Sequence, residues 1–208
     1  MLYLLVFLMS IHPPFADRVQ DAYAREDADA LRSLLQTAET RTDSLLVRYR
    51  LYPITENAAL VDDLPKTLDD GTAREWALLS GLWSYRAGEA SIFSAVSYGR
   101  RSADLLETAQ SIDPNDPYVL LIGGQSLLFR PAIAGKDPDA AAQQFTQLAE
   151  LAEAKKTDGI PPVEAYIWKW LALKEADRTD DAQSLHDQLI SRTLPPLYQQ
   201  FIDDPPDV

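Results

Sequence analysis

Gly135 and Lys136 stand directly before a stretch with helical spacing, which is where a phosphate-binding loop carries its lysine. Such a loop also needs a glycine five residues before Gly135 and a serine or threonine after the lysine. The chain has Arg130 and Asp137 at these two positions, and a helical pattern rather than a strand precedes the loop. We therefore interpret the stretch as a connector in which Pro131 ends one helix, Gly135 makes a tight turn and Asp137 caps the next helix.

Other residues that could carry catalysis or bind a metal are few. The chain has no cysteine, which excludes disulfides, thiol nucleophiles and thiolate ligands. Its two histidines are His12, inside the N-terminal segment, and His186, which stands alone at a position predicted to pack. Adjacent aspartates lack the alternating acids, central glycine and late glutamate of a calcium loop. We therefore predict a protein that is not an enzyme, with no catalytic residue, cofactor or metal; a glycosidase with paired carboxylates is the enzymatic alternative.

The charge balance limits the partners. The chain has 32 acidic and 19 basic residues and a formal net charge of -13, so nucleic acid and anionic membranes are predicted to be poor partners. Aspartate outnumbers glutamate 22 to 10 and arginine outnumbers lysine 13 to 6. Such a surface stays hydrated in concentrated salt, which favours a halophilic source. An ordinary acidic protein and an acidic face for a cationic partner are the alternatives.

The N-terminus carries a short apolar run, residues 2–11, which is too short to span a bilayer. We expect residues 1–16 to be a secretory signal peptide, with Asp17 as the first residue of the mature chain. The protein would then be exported to the periplasm or secreted, with no membrane span left. An uncleaved membrane anchor and a buried N-terminal helix of a cytoplasmic protein are the alternatives.

The remaining chain is predicted to be all-helical. Glycine is scarce, at 8 residues, and apolar residues recur at helical rather than strand spacing. We expect one domain over residues 17–202, followed by a frayed tail over residues 203–208. Early helices are predicted at 17–25, 27–40, 43–52 and 55–64, with Pro53 as the stop of the third.

From residue 72 to residue 192 the helices form pairs whose residues follow a repeated pattern. Each first helix carries a large residue, then Leu or Gly three positions later, then a small residue, followed in the first two units by another large residue three positions on. Each second helix carries a small residue, a large residue four positions later and an apolar residue three positions after that. The matching residues are Trp76, Leu79, Ser80 and Trp83 with Ser102, Leu106, Ala109 and Pro114; Leu120, Gly123, Gly124 and Leu127 with Ala141, Phe145 and Leu148; and Trp168, Leu171 and Ala172 with Ala182, His186 and Leu189. In these residues the chain resembles the tetratricopeptide repeat family.

The resemblance implies stacked helical hairpins in an α-α superhelix, which should be irregular because the connections differ in length between units. It also implies a non-enzymatic module that binds a protein or peptide partner in the cell envelope or outside the cell. The alternative is a small-molecule-binding accessory protein of envelope uptake, with a pocket between repeats. By the same resemblance, the residues expected on the partner-binding concave face are Arg74, Tyr85, Tyr118, Gln125 and Lys169.

Overall fold

The computed structural model describes residues 13–208, which fold into eleven α-helices and one short 3-10 turn and contain no strand. The prediction of an all-α protein is therefore confirmed for this part of the chain. The helices are α1 (Phe15–Ala24), α2 (Ala28–Gln36), α3 (Arg41–Thr55), α4 (Ala59–Asp62), α5 (Ala73–Gly88), α6 (Ile92–Ile112), α7 (Pro117–Phe129), α8 (Pro138–Glu153), α9 (Pro162–Glu175), α10 (Thr179–Ile190) and α11 (Pro196–Asp203). From residue 13 onward, no helix combines the length and apolar character needed to cross a bilayer.

Consecutive helices pack as antiparallel hairpins, and the hairpins pack side by side. Helix α5 packs along α6, α7 along α8 and α9 along α10, while contacts of α3 with α5, α5 with α7 and α8 with α9 join the units. Helix α1 packs on α3, and α11 packs on both α9 and α1. The first and last helices therefore meet, and the buried side chains form one continuous core from Val19 to Ile202.

Two contacts show that α5 and α7 run in the same direction. Arg74 at the start of α5 pairs with Asp116 at the start of α7, with 3.3 Å between Nε and Oδ2. At mid-helix, a Cβ on Gly81 would lie 3.4 Å from the side chain of Ile122. The ends of both helices, and so the α5–α6 and α7–α8 connections, therefore lie at one edge of the stack, which we call the tip edge. The opposite edge is the one where α5 and α7 begin.

Small residues allow the two helices of a hairpin to approach closely, as the sequence pattern predicted. Ser80 on α5 donates to the carbonyl of Ser102 at 2.8 Å, and the Ser102 hydroxyl donates to the carbonyl of Ser80 at 2.9 Å. On α7, a Cβ at Gly124 would lie 2.5 Å from the ring of Phe145 on α8. These positions accept no larger side chain unless the helices move apart.

The early helices differ from the prediction in two places. Pro53 does not end α3, because the helix continues to Thr55 and closes at Glu56, which adopts a left-handed conformation with φ 47°. The missing proline N–H removes only one bond near the helix end, while Tyr49 and Tyr52 remain packed in the core. The predicted helix over residues 55–64 was also wrong in extent: α4 is a single turn, Ala59–Asp62.

The structure can also be compared with the predictions for the two ends of the chain, the signal peptide and the frayed tail. The predicted signal peptide falls mostly on residues 1–12, which lie outside the described residues. Phe15 and Ala16 belong to α1 and pack against the core, so the predicted cleavage before Asp17 would cut inside this helix. At the other end, Val208 in the predicted frayed tail is partly buried against the core.

Candidate functional site

The interior of the stack contains a buried ion pair between α3 and α9. The Arg50 Nη1 atom lies 2.6 Å from Oε1 of Glu164, and Nη2 lies 3.1 Å from Oε2, so the pair is bidentate. Each side chain is only 2% exposed. Removing two charges from water is costly, and the bidentate contact offsets this cost only in part, because Arg50 Nε and Gln20 Oε1 are buried without a hydrogen-bond partner among the described residues.

Polar and aromatic groups from other helices surround this ion pair. The Tyr198 hydroxyl on α11 donates to Oε2 of Glu164 at 3.2 Å and accepts a hydrogen bond from the amide of Gln20 on α1. The Arg50 guanidinium lies 4.6 Å from the ring centre of Tyr23 and 5.9 Å from that of Tyr118. The ion pair therefore connects α1, α3, α7, α9 and α11 in one buried network.

The network changes the acid–base properties of its members. Burial raises the pKa of Tyr23 and of Tyr118 to about 12, although the nearby Arg50 partly opposes the shift. For Arg50 itself, burial is the largest influence and lowers the pKa, but Glu164 and the neighbouring tyrosines together outweigh it, so the net direction is upward. The arginine therefore stays charged and these phenols stay protonated at neutral pH. These charge states fit a network that joins helices inside the protein.

Four of the five residues predicted to bind a partner are held in contacts inside the protein. Arg74 pairs with Asp116 and, at 3.3 Å, with Asp158. Tyr118 is fully buried, and its hydroxyl donates a hydrogen bond to the Asp158 carbonyl. Tyr85 stacks on the ring of Tyr52 with 4.6 Å between ring centres.

Gln125 is also held by a hydrogen bond within the protein. Its Oε1 atom accepts a hydrogen bond of 2.6 Å from the hydroxyl of Tyr49. The ring of Tyr49 in turn stacks on Tyr85 at 5.5 Å. Tyr85 and Gln125 are thus brought together through their shared contact with Tyr49 of α3.

Lys169, the fifth predicted residue, lies elsewhere, in a half-open groove between α8, α9 and α10. The groove has a volume of about 320 Å³. Its lining residues are Ala142, Gln143, Thr146, Tyr166, Lys169, Leu173, Arg178, Asp181, Ser184, Leu185 and Gln188. Arg178 is bound to Asp181 at 2.5 Å, whereas Lys169 has no ion-pair partner among the described residues. The groove therefore contains one cation whose charge is not locally balanced.

The structure confirms the connector interpretation of Gly135 and Lys136. Gly135 has φ 88°, the left-handed region that favours glycine, and follows a 3-10 turn. The Asp137 side chain caps α8 by accepting from the N–H of Ala140 at 2.9 Å. Lys136 pairs with Glu175 of α9 at 3.0 Å. The lysine is thus used in joining two hairpins.

The isolated histidine also packs as predicted. The ring of His186 lies 5.6 Å from that of Trp170. Within residues 13–208, no three His, Cys, Asp or Glu side chains converge on a position that would hold a metal ion.

The buried ion pair was missed from the sequence. Arg50 and Glu164 are separated by 114 positions, so no local spacing connects them. Glu164 stands in an otherwise apolar or aromatic stretch, "PPVEAYIW", and Arg50 stands in "LVRYRLY", where Arg48 is the one other charged residue. A charged residue within a buried helix face implies a charged partner, and this was the available signal.

Comparison of the chain with protein-family models, with curated proteins and with solved structures finds no match. The likeness to tetratricopeptide repeats therefore rests on the residues quoted above.

Proposed function

We propose that this protein is a non-enzymatic, tetratricopeptide-like module that binds a protein or peptide partner in the groove between α8, α9 and α10. The observation that carries the proposal is the uncompensated Lys169 in a groove open to solvent. The other four predicted residues, by contrast, are engaged in contacts within the chain.

The groove has the character of a surface for an amphipathic segment. Its apolar part is formed by Ala142, Leu173 and Leu185, while Gln143 and Gln188 supply amides at its rim. A partner helix would place its apolar side chains on the three apolar residues of the groove and a carboxylate next to Lys169. Because the chain as a whole has a net charge of -13, this cation would select the register of an acidic segment.

The proposed location is outside the cytoplasm, as the apolar start of the chain suggests. A small-molecule ligand is the second candidate, because a groove of about 320 Å³ falls within the size of ligand pockets, roughly 300–1,000 Å³. Peptide binding and small-molecule binding can be distinguished by experiment, since a peptide must extend beyond the groove and contact both of its rims.

Site-specific photo-crosslinking tests the proposal. A photoreactive residue is placed at Gln143 or Gln188, on opposite sides of the groove, and at exposed Asp104 on α6 as a matched control. In native extract at native salt, one partner should crosslink from both rims and not from position 104. Lys169→Glu should remove this crosslink and Lys169→Arg should preserve it.

Three outcomes would contradict the peptide proposal. These are equal crosslinking from position 104, crosslinking unaffected by Lys169→Glu, or no crosslinked protein at all. Native mass spectrometry of the purified chain provides the second readout, because a small molecule that is lost in Lys169→Glu would favour the ligand-binding alternative.

A further inference from the structure

A second groove lies beside the proposed binding groove, where α7 passes between α6 and α8. We call it the second groove, and the groove between α8, α9 and α10 the first groove. The second groove has a volume of about 400 Å³ and is open to solvent. Its lining residues are Ala103, Leu106, Glu107, Gln110, Gly123, Leu127, Arg130 and Gln144. Each groove is formed by the first helix of one hairpin together with the second helices on either side, so the stack repeats one kind of surface.

The two grooves share α8 as a wall. Gln143 lines the first groove, and the next residue, Gln144, lines the second. Because successive residues of a helix point about 100° apart, only the outer surface of α8 separates the two grooves. Helices α7 and α9 contact each other as well as α8, and packed helices lie about 8–10 Å apart. The grooves are therefore about 10 Å apart, which is the length of roughly seven residues of an α-helix.

Polar groups in the second groove are available to a partner. The Arg130 guanidinium, at the end of the groove nearest the tip edge, donates to the carbonyl and the hydroxyl of Ser126 at 2.9 and 2.8 Å and pairs with no described carboxylate. The exposed Glu107 on α6 is likewise in no ion pair within this part of the chain. The Oε1 atom of Gln144 is buried beside Gly123, and no described group donates a hydrogen bond to it. Since an unsatisfied buried acceptor is costly, a partner that turns this amide outward and donates to it would be favoured.

We propose that the partner of the first groove is an amphipathic helix that lies across α8 and occupies the second groove as well. This inference rests on the proposed function. One apolar side chain of the partner enters the first groove beside Leu173, and another, seven residues along, enters the second groove beside Leu127. One acidic side chain of the partner faces Lys169 and another faces Arg130, while a basic side chain faces Glu107. The partner is thus defined by the spacing of its apolar residues and by the order of its charges.

The size of the surface favours a helix that uses both grooves. A stable protein interface takes roughly 800 Å² and about 20 residues from each side. The first groove has 11 lining residues, and the two grooves together have 19. A helix across α8 therefore meets nearly the number of residues that a stable complex uses, whereas a segment confined to the first groove meets about half. A small molecule would instead occupy one groove and leave the other empty.

Photo-crosslinking from the two outer rims tests whether one partner spans both grooves. A photoreactive residue is placed at Gln188 on α10 or at Gln110 on α6, with Asp104, which lines neither groove, as the control. In native extract at native salt, the same partner should crosslink from positions 110 and 188 but not from position 104. Mass spectrometry of the crosslinked peptides should place both sites in one segment of the partner, roughly 14 residues apart, because two helix spacings make about 20 Å.

A synthetic peptide of the crosslinked segment then serves as the probe for binding to the full chain, measured by fluorescence anisotropy. Ala103→Trp fills the second groove from an exposed position and should weaken binding about tenfold, the loss of one apolar anchor. Ala58→Trp, at an exposed position outside both grooves, is its matched control. Arg130→Glu should also weaken binding about tenfold, because it places two acids against each other. Arg32→Glu makes the same change of charge on α2 and should leave binding unchanged.

The possible failures of the two proposals can be told apart. Crosslinking from position 188 without any from position 110, or a peptide whose affinity is unaffected by both Ala103→Trp and Arg130→Glu, would overturn the two-groove proposal and leave binding in the first groove intact. Crosslinks from positions 110 and 188 that lead to different partners would overturn it as well. The absence of any crosslinked protein from positions 110, 143 and 188 would contradict the proposed function itself, and the two-groove proposal with it.

Discussion

The guanidinium of Arg50 and the carboxylate of Glu164 meet inside the stack with two parallel contacts of 2.6 and 3.1 Å. This ion pair joins α3 to α9, helices from the two halves of the chain. Tyr198 of α11 and Gln20 of α1 extend the network to both ends of the fold. The first and last helices are therefore joined to the rest of the stack by polar bonds as well as by apolar packing.

Removing one member of this pair is expected to be costly. Glu164→Gln leaves Arg50 as an uncompensated buried charge, so the free energy of unfolding should fall by about 3–5 kcal/mol. Chemical denaturation monitored by far-UV circular dichroism measures the change. The double variant Arg50→Met with Glu164→Leu should recover part of the loss, because neither charge then remains buried. A double variant less stable than Glu164→Gln would contradict this account.

Glu75 is expected to stabilise the start of α5 in a pH-dependent way. Burial raises its pKa, but hydrogen bonds from Arg41, the Thr72 N–H and Thr42 lower it more, to about 2. Because the folded-state pKa is below the usual 4.5, this stability is complete above pH 4.5 and is lost as the pH falls toward 2. Glu75→Gln should cost about 1–2 kcal/mol at pH 7.

Urea denaturation at a series of pH values checks this prediction. The difference between Glu75→Gln and the native chain should narrow steadily from pH 4.5 toward pH 2. Glu107→Gln on the exposed side of α6 is the control and should change stability little at any pH. A constant difference down to the lowest pH would refute the assignment.

Alkaline pH is expected to destabilise the protein through its buried tyrosines. The pKa of Tyr23 and of Tyr118 is raised from 10.0 to about 12 by burial. Because the folded-state pKa is raised, the contribution of each tyrosine to the free energy of unfolding is complete below pH 10 and is lost as the pH rises through 12. Tyrosinate absorbance recorded with circular dichroism should show these two phenols ionising together with unfolding. Variants Tyr23→Phe and Tyr118→Phe should lower the absorbance change of that step, and ionisation of both phenols below pH 10 would contradict burial as the cause.

Gly124 is expected to be needed for the spacing of α7 and α8. A methyl group there would lie 2.5 Å from the Phe145 ring, so Gly124→Ala should destabilise by about 1–3 kcal/mol through overpacking. Gly99 on α6 has no neighbour within 4 Å of the same added atom. Gly99→Ala should therefore stabilise by roughly 0.5–1 kcal/mol through helix propensity. Thermal unfolding of both variants measures the two changes in stability, which should have opposite signs. Changes of the same sign would refute the distinction between the two glycines.

Much of the secondary structure could be predicted from the sequence because helix caps and prolines act on neighbouring residues. Asp116 caps α7 and Pro117 stands at its first turn, as the "DPNDP" stretch predicts. Pro53 was misread because its effect depends on tertiary packing. The local rule predicts a stop, but the contacts of Tyr49 and Tyr52 hold the helix together beyond it.

The candidate site was predicted less completely. Lys169 was named from the repeat pattern and lies in the groove between α8, α9 and α10. Tyr85 and Gln125 were named by the same rule and are engaged with Tyr49 of α3. The pattern gives a side chain's place on its own helix, but not which side chains of other helices it contacts.

The sequence alone determined the all-helical class, the hairpins after residue 72 and the small residues at their contacts, because these follow from periodicity, caps and side-chain size. Tertiary structure alone decided that α1 and α11 meet and that Arg50 pairs with Glu164. These relationships join residues far apart in the chain. They depend on how the helices pack across the stack, which no local pattern encodes.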